Sequence, residues 1–235
     1  MFRDPAPPLE NGIYRALAER PQLPLAQSSN FWPLTAQLYE PLWRRRSLSL
    51  LTRGEFDVAR ELELMQQWLA LQEGARVLDL ACSAGLYARH LLSSDLANLE
   101  VHALDMSEAF LQTGQRYSAH DARTPVWVQA DVRALPYQDS YFDAIVCGGS
   151  LNEFTDLGQS LQEMARVLKP GGRMWQMYLR RAHNWPGQVL QRYFSLSGIR
   201  FIHPGELNDQ ARAAGMLPQR AQYRGVVALA LFSKH

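Results

Sequence analysis

The sequence predicts a doubly wound α/β fold, and three observations carry that prediction. Short runs such as Arg76–Leu80 and 144–147 are apolar at adjacent positions, as strands covered by helices on both faces need to be. Helical stretches alternate with these runs, which is what parallel strands require of their crossovers. The strands end in an acid or a turn of small residues, at the edge where open α/β sheets bind ligands.

Length and composition bound the answer further. A chain of 235 residues suffices for one α/β domain burying about 70–75% of its unfolded surface, and a second domain is not expected. The net charge of +1, with signs mixed, leaves no footprint for nucleic acid or membrane. The two cysteines, Cys82 and Cys147, fall at the ends of expected core strands, which suits free thiols in a reducing compartment. The start lacks an apolar signal core, and the longest apolar run, 226–232, is too short to span a bilayer. The expectation is a soluble, cytoplasmic protein without membrane insertion.

The elements follow in order. Residues 1–28 carry Pro5, Pro7, Pro8, Pro21 and Pro24, which forbid a long helix and favour an extended or poorly ordered arm on the surface. From residue 30 to 53 the chain turns apolar, with Phe31, Trp32, Leu34, Leu38, Tyr39, Leu42, Trp43, Leu48, Leu50 and Leu51, and needs a core or cleft to cover. Arg44, Arg45 and Arg46 within it suit a solvated helix face better than an anion site. Residues 55–72 place Val58, Leu62, Met65 and Leu69 on one helical stripe that ends at Gly74.

The first core strand, Arg76–Leu80, holds Asp79 near its carboxyl end. A carboxylate there needs a ligand or the following backbone amides as partner; capping the next helix is the alternative, open to Ser83 as well. The turn Ala81-Cys82-Ser83-Ala84-Gly85 then opens a helix. Strand 99–104 ends in Asp105-Met106-Ser107, with Asp105 26 residues beyond Asp79, the offset at which such folds present an acid to a ribose. Ser107 can cap the following helix through the amide of Phe110. His102 reads as a packed core histidine, since no partner lies at metal-ligand spacing, and no metal is expected.

Strand 126–130 leads to Asp131-Val132, and strand 144–147 to Gly148-Gly149-Ser150-Leu151-Asn152-Glu153, a loop placed to touch cofactor and substrate. Asn152 and Glu153 read evenly as substrate contacts or as surface residues. Asp143 reads as structural. Helix 157–168 is stopped by Lys169-Pro170-Gly171-Gly172, and strand 173–179 follows with Tyr178. Residues 180–203 interleave Trp185, Tyr193, Phe194 and Phe201 with Arg180, Arg181, Arg192 and Arg200, which suits a flat or apolar substrate with an anionic group, or simply a packed helix with exposed arginines. A helix from 204 to 214 and a hairpin, about 217–223 with 226–233, close the chain.

Val77-Leu78-Asp79-Leu80-Ala81-Cys82-Ser83-Ala84-Gly85 resembles the first motif of class I S-adenosylmethionine (SAM) dependent methyltransferases, V-L-D-x-G-x-G-x-G, with Ala81 and Ser83 at two glycine places and Gly85 at the third. A nicotinamide-type G-x-G-x-x-G would fall on Ala81, Ser83 and Leu86 and fails at all three. The phrase from Leu161 to Gly172, LQEMARVLKPGG, closely resembles the family's segment before strand five, and the stretch through Trp43-Arg44 is similar to the small-molecule, ubiquinone/menaquinone-biosynthesis type.

The resemblance, strongest over 75–180, implies a Rossmann-like seven-stranded mixed sheet with an antiparallel last strand. It divides residues 29–235 into a helical cap (30–73), a SAM-binding core (75–180), a substrate-pocket insertion (180–203) and a closing helix and hairpin (204–235). It implies SAM contacts at Asp79, Ala81, Cys82, Ser83, Gly85, Asp105, Met106, Asp131, Val132, Cys147 and Gly148, with Asp131 and Val132 on the adenine. Asn152, Tyr178 and Trp185 are the candidate acceptor contacts. In-line displacement at a sulfonium methyl rests on alignment and desolvation, so a nucleophilic side chain is not required; Glu153, His183 and His203 are candidates where a base is needed.

The expected function is methyl transfer to a small aromatic or apolar molecule, with S-adenosylhomocysteine as product and no nucleic acid partner, because neither a basic stripe nor an Asn-Pro-Pro motif after strand four is present. Two alternatives stay open at this point. One is a SAM-binding protein that does not methylate; the other keeps the fold as an interaction module. The oligomeric state is open as well.

Overall fold

The computed structural model describes residues 1–17, 33–38, 48–49, 51–52, 54–196 and 198–235. In chain order these form β1 (Leu9–Glu10), β2 (Ile13–Arg15), α1 (Pro33–Leu38), α2 (Val58–Leu69), β3 (Arg76–Leu80), α3 (Leu86–Leu92), β4 (Glu100–Asp105), α4 (Glu108–Tyr117), β5 (Val126–Gln129), β6 (Phe142–Gly148), a 3-10 turn (Leu151–Glu153), α5 (Leu157–Val167), β7 (Leu168–Leu179), α6 (Trp185–Ser195), α7 (Pro204–Ala213), β8 (Met216–Arg224) and β9 (Val227–Lys234). The expectations for residues 18–28, for Phe31, Trp32, Tyr39, Leu42, Trp43, Leu50 and the three arginines 44–46, and for the side chains of Leu34 and Leu38, lie outside the described residues.

One sheet runs β1-β2-β5-β4-β3-β6-β7-β9-β8. The strands from β2 to β7 are parallel, β9 is antiparallel to both its neighbours, and β1 is antiparallel to β2. Strands β3 to β9 are the seven expected, with β9 reversed. The order turns at β3 and β6, so the switch point opens above their carboxyl ends.

The two additional strands correct the reading of the N-terminal arm. Its prolines forbid helix but not an extended edge strand, and β2 pairs with β5, Ile13 opposite Trp127. Ile13 is fully buried, and Phe2 stacks on Tyr137 with ring centroids 5.4 Å apart. Residues 1–17 thereby cover an edge that β5 would otherwise leave unpaired.

Each face of the sheet carries its own helices. Leu62, Met65 and Leu69 of α2, Ala88 and Leu91 of α3 and Leu111 of α4 cover Val77, Val146 and Trp175, whereas Leu161 and Met164 of α5 and Leu207 and Ala211 of α7 cover Leu78, Ile145 and Met174. The period of two along β7 sends Trp175 and Met177 to the first face and Met174 and Tyr178 to the second. Helix α2 starts at Asp57, which accepts from the amide of Arg60, and ends at Ala70 with φ 45°, four residues before the expected stop at Gly74. Lys169-Pro170-Gly171-Gly172 ends α5 as expected but forms the leading end of β7. The Lys169 ammonium is 2.6 Å from Asp143 Oδ1, and Asp143 Oδ2 accepts from the Arg76 amide at 2.9 Å, so this carboxylate clamps the amino ends of three strands.

Candidate active site

The turn after β3 is built from backbone held in an unusual conformation. Ala81, Ser83 and Gly85 have φ of 52°, 50° and 74°, so all three glycine places are left-handed although only one holds glycine. An L side chain there costs about 1–2 kcal/mol. Neighbouring groups lock the shape. The Cys82 amide donates to the Leu104 carbonyl at 2.9 Å, and the Ser83 amide to Asp105 Oδ2 at 2.8 Å. Ser150 Oγ donates to the Ala81 carbonyl at 3.2 Å, tying the loop after β6 to the same turn. Gly85 must stay glycine for a second reason, because a Cβ would stand 2.8 Å from the Trp127 ring.

Asp79 is fully buried, and its Oδ2 accepts from the Ala88 amide at 2.9 Å in the first turn of α3. Helix α3 has Gly85 at its N-cap with no side-chain cap, so Asp79 supplies that helix end from the strand below and Ser83 does not. The capping alternative thus holds for Asp79. Asp105 joins two elements: besides Ser83, it accepts from the Ser107 amide at 2.8 Å, while the Ser107 hydroxyl caps α4 through Phe110. Burial pushes the Asp105 carboxyl up to about 6, against the pull of the Ser107, Ser83 and Met106 amides.

Asp131 holds the Arg133 guanidinium through Nε at 3.0 Å and Nη2 at 2.6 Å and also accepts from the Arg133 amide at 2.8 Å. Burial works upward on this carboxyl, yet the hydrogen bonds from Arg133 outweigh it and hold the group below the usual range. Val132 beside it is buried, whereas Ala81, Ser83, Met106, Asp131 and Gly148 stay partly open above fully buried strands. Cys82 and Cys147 are both buried, and burial pushes both thiols up, so neither is a nucleophile at neutral pH. Gly148 has a separate reason for being glycine: a Cβ would lie 1.9 Å from the hydroxyl of Tyr87, which donates to Glu61 of α2 at 2.5 Å. That buried pair, and the reach of Arg15 from β2 to Gln129 and Glu108, were not readable in sequence, since each joins residues far apart in the chain.

The candidate acceptor residues are not brought together. Asn152 is buried and spends its side chain on the scaffold: its amide nitrogen donates to the Leu179 and Arg200 carbonyls at 2.7 and 2.6 Å, and its oxygen accepts from the Leu179 amide at 2.7 Å. Tyr178 packs in the core with Phe232 and Leu207, on the face opposite α2. Trp185 points outward from the first turn of α6 and is 76% exposed. Their directions differ for one reason: strand alternation and helix rotation, which set direction, depend on packing that the local sequence does not state. Among the candidate bases, His203 caps α7 by accepting from the Gly205 amide, His183 bonds to Arg180 on an exposed segment, and Glu153 ends the turn after β6.

A parallel sheet that switches direction at β3 and β6, a reversed β9, acids at three strand ends and a left-handed turn of small residues define the Rossmann-like fold of class I methyltransferases. Comparison with known proteins agrees with that fold: residues 78–175 match the family model described as a methyltransferase domain. A 2-phytyl-1,4-naphtoquinone methyltransferase of Trichormus variabilis is 32% identical over 146 residues, which is 61% of this chain and 63% of that protein. The ubiquinone/menaquinone biosynthesis C-methyltransferase of Dinoroseobacter shibae is 32% identical over 145 residues, 60% and 56% of the two chains. The chain thus spans 54–63% of the length of the first curated relatives it matches. Among solved structures, the cyclase SpnF superposes with a TM-score of 0.68 at 17% identity over 91% of this chain and 97% of its own. A SAM-dependent methyltransferase from Aquifex aeolicus gives 0.61 at 18% identity, over 80% and 97%. At such identities the two structures share the fold alone.

Proposed function

We propose that this protein transfers a methyl group from SAM to a small, apolar acceptor of the quinone kind. The observation that carries the proposal is the turn Ala81–Gly85: Ala81 and Ser83 keep the left-handed backbone of the glycines they replace, so the main chain can still approach a ligand closely. The residues fit the cofactor, with small side chains at the turn and two acids, Asp105 and Asp131, at the neighbouring strand ends. The relatives named as quinone methyltransferases support the acceptor class.

SAM, when bound, supplies an electrophilic methyl on a sulfonium. The chain's own contribution is to bind and align. Asp105 would accept from ribose hydroxyls with the lone pairs that Ser83 and Ser107 leave free; Asp131 and Val132 would hold the adenine, and the amides after β3 the amino-acid end. Met106, Cys147 and Gly148 would complete the walls. Glu153 and His183 are the candidate groups for taking a proton from the acceptor. Calorimetry with SAM and S-adenosylhomocysteine, followed by labelled-methyl transfer to hydroquinones of graded side-chain length, tests the reading. Micromolar binding with transfer is expected. Folded protein that binds neither ligand would overturn the reading, and binding without transfer to any acceptor would assign the site to SAM-dependent chemistry other than methylation.

A further inference from the structure

Helix α6 is turned inside out relative to a surface helix of a soluble domain. Its one buried side chain is a glutamine: Gln191 accepts from the Ala182 amide at 2.8 Å and donates to the Arg180 carbonyl at 2.9 Å. The large apolar side chains point to solvent, with Trp185 76%, Val189 62%, Leu190 58%, Tyr193 70% and, just past the helix, Leu196 84% exposed. At 100° per residue Trp185, Val189, Tyr193 and Leu196 fall on one continuous stripe with Arg192 along its edge. Single exposed apolar residues need no explanation, but a contiguous stripe marks an interaction surface.

Charge around the stripe is one-sided. Residues 180–205 hold four arginines and two histidines and no acid, in a chain whose totals of 24 basic and 23 acidic residues nearly cancel. Arg200 is offset by Glu206, and Arg180 bonds to His183 and lies over the Tyr223 ring, whereas Arg181 and Arg192 make no ion pair among the described residues. Arg181, Arg192 and Arg200 line a cavity of about 770 Å³ together with Trp185, Val189 and Ile199. The whole-chain charge conceals this local concentration.

We infer that α6 and its flanking arginines dock the protein on an anionic lipid surface, with the apolar stripe in the acyl boundary and the arginines on phosphodiester headgroups. An exposed apolar face bordered by unpaired cations is the pattern of helices that lie in a membrane interface without crossing it. No helix among the described residues is long and apolar enough to cross a membrane, which agrees with a surface mode. A second copy of the chain is the poorer occupant: a two-fold contact on this face would set guanidinium groups against guanidinium groups with no acid from 180–205 between them. Position adds a use for the surface. Through Asn152, the turn after β6 is bonded both to the end of β7 and to the segment after α6, so the segment that follows the docked helix is tied to the turn that carries Glu153. The inference goes beyond the methyl-transfer reading, and its test does not depend on it.

The test is co-sedimentation of the full chain with vesicles of phosphatidylglycerol and phosphatidylcholine mixed, and of phosphatidylcholine alone, across a salt series. Binding to the anionic vesicles that weakens with salt is expected. V189E/L196E and, separately, R181E/R192E should each lower the partition coefficient by about tenfold or more, with melting temperature and SAM affinity as in wild type. Absence of wild-type binding to anionic vesicles would overturn the inference, as would variants that bind like wild type. A wild-type dimer in sedimentation equilibrium that V189E/L196E dissociates would give the face to a second copy and overturn it too.

Discussion

The two halves of the candidate site's rim are built on different terms. Around β3, β4 and β5 the groups that matter stand at strand ends, and their work is done by backbone and by carboxylates whose place follows from the strand itself: Asp79 on Ala88, Asp105 on Ser83 and Ser107, Asp131 on Arg133. Around β6, β7 and α6 the corresponding polar and aromatic residues are turned away from any common point: Asn152 into the scaffold, Tyr178 into the core and Trp185 to solvent. One half is specified by position along a strand, and the other by how strands and helices rotate against each other. Cofactor binding can sit on the first half and acceptor choice on the second, since function is grafted onto a fold at its loops.

The largest expected effect would break this comparison if it failed. Asp105→Ala removes the acceptor for the Ser83 amide and the group proposed for the ribose, and SAM affinity should fall by about two to four orders of magnitude, two charged hydrogen bonds being worth roughly 1.5–3 kcal/mol each. Calorimetry reads it; unchanged affinity would take the ribose role from Asp105. Next is Asn152→Ala, which takes the partner from the Arg200 carbonyl and the Leu179 amide, while the Leu179 carbonyl keeps the Ile202 amide at 3.2 Å. We expect a loss of roughly 2–4 kcal/mol in urea unfolding, at about 1 kcal/mol or more for each orphaned group. A variant with unchanged stability but a raised KM for the acceptor would instead return Asn152 to the substrate.

That contrast also says what sequence could convey. The reversed β9 came with the family resemblance, whereas the capping of α4 by Ser107 and the structural duty of Asp143 were readable in the residues themselves, because each depends on local pattern or on turn chemistry. The arm at residues 1–17 was not: its prolines exclude helix without saying whether an extended segment is paired, and only the bare edge of β5 decides that. The direction of Tyr178 was not readable for a similar reason, since strand alternation fixes that it faces opposite to Met177 but not which face holds the cleft. Glu61 and Tyr87 lie 26 residues apart in sequence and meet only after α2 and α3 pack.

A pH series separates binding from stability at the same carboxylate. The Asp105 carboxyl is raised to about 6, so the folded chain binds that proton more tightly than the unfolded chain does. Stability from this group is therefore fully present below the unfolded value, near 3.9, and is lost as pH rises through 6, a change of about 3 kcal/mol. Ligand affinity runs the other way, because the ionised form accepts: below pH 6 the SAM affinity should fall about tenfold per pH unit. Calorimetry and urea unfolding between pH 4.5 and 8, on the order of three decades of proton activity, follow both, and parallel movement of the two would mean that another group governs binding.

The smallest expected effect sharpens the claim about the turn itself. If Ala81 and Ser83 are held left-handed by their surroundings, Ala81→Gly and Ser83→Gly should relieve strain of about 1–2 kcal/mol each. Glycine gives back roughly 0.5–1 kcal/mol of that through the freer unfolded chain. A net gain of about 0.5–1 kcal/mol per site in urea unfolding is the expected result, with SAM affinity equal to wild type or better. Ala81 also packs against the core through its methyl group, so its gain should be the smaller of the two. A loss at both sites would mean that the side chains stabilise the turn in their own right, and that the strand-end half is less purely a matter of backbone than the comparison with the acceptor half makes it.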